Sequence, residues 1–306
     1  MHFEQTIERP VETSGTGLHT GVHCRLRLLP APSGTGVVFR RVDLDGFELE
    51  ARAANIARVS YATSLMKKGV LISTTEHLLA ALYASAIDNV YVELDNLELP
   101  ILDGSARPFV QLIDAAGRTP QRRRRRYLEI LRPIEVCAGE PGSPDFRAIG
   151  VYPAPGGAGL ALDYTIDFPH PLIGRQQLGF ELNETTFARR LSGARTFCFH
   201  DQIDQLRQMG LIRGGTLDCA VVLTADGLLN HNGLRYPDEF CRHKALDLIG
   251  DLALLGRPLV GRVVACRAGH ALHTALVLKL LRARTAWREA TADQLASGAL
   301  ATSLAP

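Results

Sequence analysis

One long helix constrains this chain more than any other segment. Asp238 to Leu255 reads as helical, with Gly256 in place to close it. Phe240, Leu246, Leu248, Ile249, Leu252, Ala253 and Leu255 make it apolar around most of its girth, which predicts burial. Yet His243, Asp247 and Asp251 recur at i, i+4 and i+8, a polar stripe that drifts only about 40° per step. A carboxylate buried without a partner costs several kcal/mol or more, so any fold that buries this helix must supply one. A metal ion is one candidate; a solvent-facing stripe is the alternative that spacing alone leaves open.

The adjacent acid and imidazole of Glu76-His77 extend the metal reading. With His243 and Asp247 they offer two imidazole nitrogens and one anionic oxygen, and leave Glu76 free as a base. Three protein ligands with an open fourth position describe a hydrolytic zinc site better than a structural one. Nitrogen and oxygen ligands also admit iron. Glu76 has a competing structural role, because Ser73 and Glu76 fit a capping box for a helix from about Thr74 to Ala84. His77 would then lie in the first turn, where the helix dipole disfavours imidazolium and keeps the ring able to bind metal. Gly269-His270 opens another helix, and His270 could act as an acid if Asp251 held its proton. His273 falls on a different face and reads as ordinary surface. Thr196, taken alone, is a strand residue. Gly15 to Gly21 is glycine-rich but lacks the Gly-Lys-Ser/Thr ending of a phosphate loop, so it reads as a tight turn. Leu102 to Phe109 reads as a structural turn and helix start with Ser105 as N-cap.

Composition narrows the classes. The 306 residues include 34 Lys plus Arg against 32 Asp plus Glu, a balance that argues against a nucleic-acid binder. The one basic block, Arg122 to Arg126, could touch phosphates or anionic lipid, but a solvated linker is the plainer reading. No two of the six cysteines form a C-x-x-C pair, so buried free thiols in a reducing compartment are expected. No secretory signal and no apolar run long enough to cross a bilayer is visible. The expectation is a cytoplasmic protein able to touch a membrane surface.

Strands are expected at Val22–Leu29, Gly36–Arg41, Asn89–Leu94, Tyr127–Ile130 and Leu259–Cys266. Helices are expected at Ala106–Ala116, Phe187–Leu191, Gln202–Met209 and His270–Leu281. Asp226-Gly227 between Asp218–Thr224 and Leu228-Leu229 predicts a hairpin. Turn-rich breaks fall at Pro141–Pro144 and Pro153–Gly159. Strand clusters with paired helices, twice over, indicate two α+β domains. Their expected limits are 1–121 and 127–290, with 122–126 as an Arg-rich linker and 291–306 as an Ala/Ser-rich tail that frays.

Taken in order, Gly17-Leu18-His19-Thr20-Gly21, Thr75-Glu76-His77-Leu78, Leu102-Asp103-Gly104-Ser105, Ala194-Arg195-Thr196-Phe197, Asp238-Glu239-Phe240, Arg242-His243-Lys244, Leu246-Asp247, Ile249-Gly250-Asp251 and Gly269-His270-Ala271-Leu272 form a specific set. From about residue 3 to about 283 the chain closely resembles the UDP-3-O-acyl-N-acetylglucosamine deacetylases, zinc enzymes of lipid A biosynthesis in Gram-negative bacteria. The resemblance implies two α+β domains, each a mainly antiparallel sheet with a pair of helices, packed helix layer to helix layer around the site. It implies one zinc ion held by His77, His243 and Asp247, Glu76 as general base, and His270, supported by Asp251, as the acid for the leaving amine. It implies Thr196 at the oxyanion, Lys244, Phe197 and His19 toward the substrate, and an insert at about 199–214 shaping an apolar passage for the acyl chain. The implied partner is an acylated UDP-amino sugar and the implied state a monomer. Cys198 stands where many relatives have glycine, which would narrow the mouth of that passage. Thr16 and Arg107 fill variable positions, and Ser60 to Thr63 match poorly. A non-catalytic sugar-nucleotide-binding regulator on the same fold and a zinc amidohydrolase for another acylated amino sugar are the alternatives.

Overall fold

A computed structural model describes residues 1–57, 61–154 and 159–303. Ser60 and most of the Pro153–Gly159 break lie outside the described residues. The fold is mixed α+β. The first half builds a five-stranded sheet in the order Val11–Thr16, His23–Pro30, Val90–Leu94, Val37–Arg41, Phe47–Glu50. All of its pairings are antiparallel except that between Val37–Arg41 and Val90–Leu94. The second half builds a seven-stranded sheet around Leu259–Cys266. That strand is antiparallel to Arg147–Tyr152 and parallel to both Tyr127–Ile130 and Leu160–Phe168. The alternation of Val263 and Ala265 with exposed Arg262 and Val264 gives it one buried face.

Seven α-helices occur among the described residues: α1 (Glu76–Ala84), α2 (Arg107–Ala116), α3 (Glu184–Arg190), α4 (Ile203–Gln208), α5 (Glu239–Leu252), α6 (His270–Arg282) and α7 (Ala292–Ser303). α1 and α2 from the first half and α5 and α6 from the second pack together between the two sheets. One apolar core runs through both halves, from Leu26, Phe39 and Leu78 to Phe240, Leu248 and Leu276. The contact of α1 with α5 is the closest. A Cβ on Gly250, in the middle of α5, would stand 2.1 Å from the carbonyl oxygen of Glu76. Glycine inside a helix costs about 1 kcal/mol relative to alanine. Here it lets the N-terminus of α1 lie directly on α5 between Asp247 and Asp251.

Several local expectations are corrected. The Arg122–Arg126 run still connects the two sheets, but it is not loose chain. Arg118–Arg124 is a strand antiparallel to Phe3–Ile7, and Arg125 is buried against Asp88 at 2.8 Å. In the tail, Ala292–Ser303 is helical, as its alanine content favours, and Leu295 packs with Val260 and Ala290. As expected, Asp226-Gly227 forms the tight turn of a short hairpin: the Thr224 N–H bonds the Gly227 carbonyl, Leu223 and Leu228 form an antiparallel bridge, and the Leu229 N–H bonds the Val222 carbonyl. Val221–Leu223 also pairs in parallel with Phe197–Phe199. The six cysteines are free; Cys24, Cys219 and Cys241 are buried, Cys198 and Cys266 half-buried, and Cys137 exposed. No helix among the described residues is long and apolar enough to cross a membrane.

Candidate metal centre and catalytic cleft

The capping box expected at Ser73 and Glu76 does not form. The N-cap of α1 is Thr75, without a side-chain cap, and the Ser73 hydroxyl bonds that of Ser64. Thr74 sits in the left-handed region at φ 59°, and its hydroxyl donates to Glu98. Glu76 is thereby released to point toward the start of α6. Its Oε2 accepts the Thr63 N–H at 3.0 Å and its Oε1 stands 3.9 Å from His270 Nε2. Burial pushes the Glu76 carboxyl above the usual range, against the pull of His270 and His77.

His77, His243 and Asp247 come together as the sequence spacing and the resemblance anticipate. They are buried, with ligand atoms all within 4.8 Å of one another. The two imidazoles meet edge to face with centroids 5.1 Å apart. His243 donates Nδ1–H to the Ala194 carbonyl at 3.0 Å, which turns Nε2 toward Asp247. Burial lowers the His243 pKa to about 4, so the ring is neutral near pH 7. Burial would raise Asp247, but the His243 imidazole and the Lys244 ammonium hold its carboxyl well below the usual range.

The donor set fits a metal ion. Asp247 Oδ1 is buried and has no hydrogen-bond partner among the described residues. His243 Nε2 and His77 Nε2 stand 3.3 and 3.7 Å from it. Neighbouring oxygen and nitrogen ligands of tetrahedral zinc are about 3.3 Å apart, given metal–ligand bonds of about 2.0–2.2 Å. An orphaned anionic oxygen facing two bare imidazole nitrogens calls for a cation.

Asp251 and His270 meet one turn further along α5. His270 Nδ1 lies 2.8 Å from Asp251 Oδ2, and the Thr63 hydroxyl donates to Oδ1. Burial would lower the His270 pKa, but Asp251, with Asp247 and Glu76 behind it, lifts it to about 9. The expectation of a surface His273 is wrong. It is 0% exposed, with Nδ1 2.9 Å from the same Asp251 oxygen and Nε2 2.9 Å from the Tyr164 hydroxyl. Its place one turn into α6, with Leu272 and Leu276 flanking it inward, was the available signal.

Thr196 and Phe197 line the cleft, with Phe197 edge-on to Phe240 at 5.0 Å. Lys244 also lines it, but its Nζ is bonded to Asp247 Oδ2 at 2.8 Å. His19 is nearly buried, and neither ring nitrogen has a partner among the described residues; burial lowers its pKa. Two buried carboxylates escaped the sequence reading. Glu98 accepts from His19 N, Thr20 and Thr74, and so ties the His19 turn to the start of α1. Glu239 binds Arg195 at 2.9 Å and fixes the segment that presents Ala194 O and Thr196. Ser105 lies one residue before Ala106, the N-cap of α2, yet its hydroxyl accepts the N–H of Arg107, the first helical residue, at 3.2 Å.

The metal cluster opens into a cleft of about 340 Å³. A second, more apolar cavity of about 390 Å³ shares Leu18, His19, Tyr61, Thr196 and Phe197 with it, and continues past Cys198, Ile203, Leu206 and Ile212.

The sequence profile of the UDP-3-O-acyl N-acetylglycosamine deacetylase family matches residues 4–282. Relatives named UDP-3-O-acyl-N-acetylglucosamine deacetylase include one from Solibacter usitatus, 54% identical over 297 residues, with 97% of each chain covered. Another, from Anaeromyxobacter sp. (strain Fw109-5), is 44% identical over 91% of this chain and 88% of its own. A third, from Saccharophagus degradans, is 41% identical over 95% and 94%. With agreement over nearly the full length, the chain belongs to the UDP-3-O-acyl N-acetylglycosamine deacetylase family.

Proposed function

We propose that this chain hydrolyses the N-acetyl group of UDP-3-O-acyl-N-acetylglucosamine with the aid of zinc, releasing acetate in lipid A biosynthesis. The observation that carries this reading is the orphaned Asp247 Oδ1, faced by His77 and His243 and flanked by an acid and a base. His77, His243 and Asp247 would hold the ion. Zinc, when bound, polarises an amide carbonyl and makes water a usable nucleophile near neutral pH.

The remaining work belongs to side chains. Glu76, its pKa raised by burial, takes the proton of the attacking water. The Thr196 hydroxyl donates to the oxygen on which negative charge develops. His270, protonated through Asp251, delivers a proton to the amine nitrogen, which leaves as a neutral amine when the C–N bond breaks. Phe197 and His19 stand where the two cavities join, placed to hold the sugar, with the acyl chain in the apolar branch. Lys244 lines the same cleft while bonded to Asp247 Oδ2, and its remaining ammonium protons would meet the anionic part of the substrate. A nucleotide-sugar substrate puts the work in the cytoplasm, and the monomer is complete for it.

The test is metal analysis paired with acetate release. About one zinc per chain is expected, and Glu76→Ala should keep the metal while losing turnover. Near-normal acetate release by Glu76→Ala would overturn the base assignment. Binding of the nucleotide sugar without hydrolysis by the zinc-loaded wild type would favour a regulator. Preference for the de-uridylylated analogue would favour a different amidohydrolase.

A further inference from the structure

At the far end of α1 from the metal cluster, a recess of about 140 Å³ opens between the two halves. Its floor is apolar, with Leu82 and Tyr83 of α1 meeting Leu255. Its rim is not. Arg52, Arg123, Arg125, Arg126 and Arg257 converge on it, against two lining carboxylates, Glu4 and Asp88. Strand alternation explains part of the convergence: Arg123 and Arg125 project to this side, while Arg124 projects away to pair with Asp293. Three of the five are already partnered: Arg125 by Asp88, Arg123 by Glu4 and Arg257 by Glu289. Arg52 and Arg126 have no ion-pair partner among the described residues. The recess is therefore positive beyond what its own carboxylates balance. It is also closely fitted, because a Cβ at Gly34 would stand 1.9 Å from Arg123 Nη1. Gly34 has φ +83°, a conformation that already favours glycine, so the guanidinium lies against bare backbone.

We propose that this recess is a phosphate-binding site, distinct from the deacetylase cleft, in which Arg52 and Arg126 supply the unpaired charge. Guanidinium forks suit phosphate oxygens, and a recess lined mainly by one sign of charge focuses its field on an anion. Free phosphate compounds and phospholipid headgroups share this chemistry. The site would join the two halves through Arg52 from the first and Arg257 from the second, so occupancy should stabilise the whole fold.

The test is the thermal midpoint of the full chain titrated with inorganic phosphate, against chloride at equal ionic strength. A saturable rise is expected for the wild type. In Arg52→Gln/Arg126→Gln, both exposed positions, half-saturation should weaken by at least about tenfold. Arg122→Gln/Arg132→Gln removes the same charge outside the recess and should behave as wild type. No rise beyond chloride, an undiminished rise in the first variant, or an equal loss in the second would overturn the proposal. Sedimentation with phosphatidylglycerol–phosphatidylcholine vesicles separates the sources. Pelleting that phosphate competes away, and that the first variant loses, identifies a headgroup. A phosphate response without pelleting identifies a soluble phosphate compound.

Discussion

His77, His243 and Asp247 form one compact cluster of an aspartate and two imidazoles; Asp251, His270 and His273, one turn further along α5, form another. Composition, burial and spacing are nearly the same, yet the hydrogen bonds differ. In the second cluster Asp251 accepts from Thr63, His270 and His273, and Tyr164 closes the far side of His273. In the first, Asp247 Oδ1 accepts nothing and His243 spends its only donor on the backbone. A closed network needs no ion, whereas an open one is stable only with a cation or at a high desolvation cost. Proximity of ligand-type residues therefore does not identify a metal site; the unpaired oxygen does.

The largest effects should separate the two clusters by metal content. Asp247→Ala removes the orphaned oxygen, and its zinc content and acetate release should both fall to background. Chelation of the wild type should do the same, with zinc restoring the rate. Asp251→Asn should leave zinc content unchanged. Equal metal loss in both variants would show that the clusters act as one site.

Asp251→Asn should instead lower kcat by about 10²–10⁴-fold, the usual worth of a positioned acid. The pH dependence follows from the sign of the His270 shift. Its pKa is raised to about 9, so the proton-donating form is populated below that pH and lost as pH rises through it. Removing the Asp251 charge lowers the His270 pKa, so the alkaline limb of the kcat profile should move to lower pH. A limb that stays in place would assign it to another group.

The contrast between the clusters was partly legible in the sequence. The i, i+4, i+8 stripe on an apolar helix placed His243, Asp247 and Asp251 on one side; the residue types of Glu76-His77 suggested the distant partner, and the family resemblance gave each residue its role. Helix and strand spans such as Leu259–Cys266 came from periodicity and glycine stops. What stayed hidden depends on tertiary neighbours. Nothing local reveals that Glu98 and Glu239 are buried hubs, since their donors come mostly from other segments. For His273 the apolar neighbours Leu272 and Leu276 signal burial, but the residue that holds its ring, Tyr164, lies 109 positions away. The arginine run looked like solvated linker because pairing with Phe3–Ile7 is set by the whole first half.

Gly250→Ala acts on the partition itself, because Gly250 lies between Asp247 and Asp251 where α1 crosses. Alanine gains about 1 kcal/mol of helix propensity, but its Cβ would meet the Glu76 carbonyl at 2.1 Å. Backbone cannot yield as a flexible side chain can, so the clash should win, with a net loss of about 1–3 kcal/mol by chemical denaturation. The shift of α1 would carry Glu76 and His77 together, so both zinc affinity and kcat should fall. An unchanged denaturation midpoint would mean that the helices are not held as closely as described.

His273→Leu should have the smallest effect. It removes one of three donors to Asp251 and one contact of Tyr164, but every partner keeps another bond: Asp251 to Thr63 and His270, Tyr164 to the Ala268 carbonyl. Because no buried polar atom is left wholly unpaired, the cost should be about 1 kcal/mol of stability, near that of one net hydrogen bond. Zinc content should not change. His270 keeps its own bond to Asp251, so kcat should fall by less than about tenfold, or roughly 1.4 kcal/mol. A drop as large as that of Asp251→Asn would mean that His270 and His273 hold the shared oxygen only as a pair, and the second cluster would then have to be treated as a single proton-holding unit.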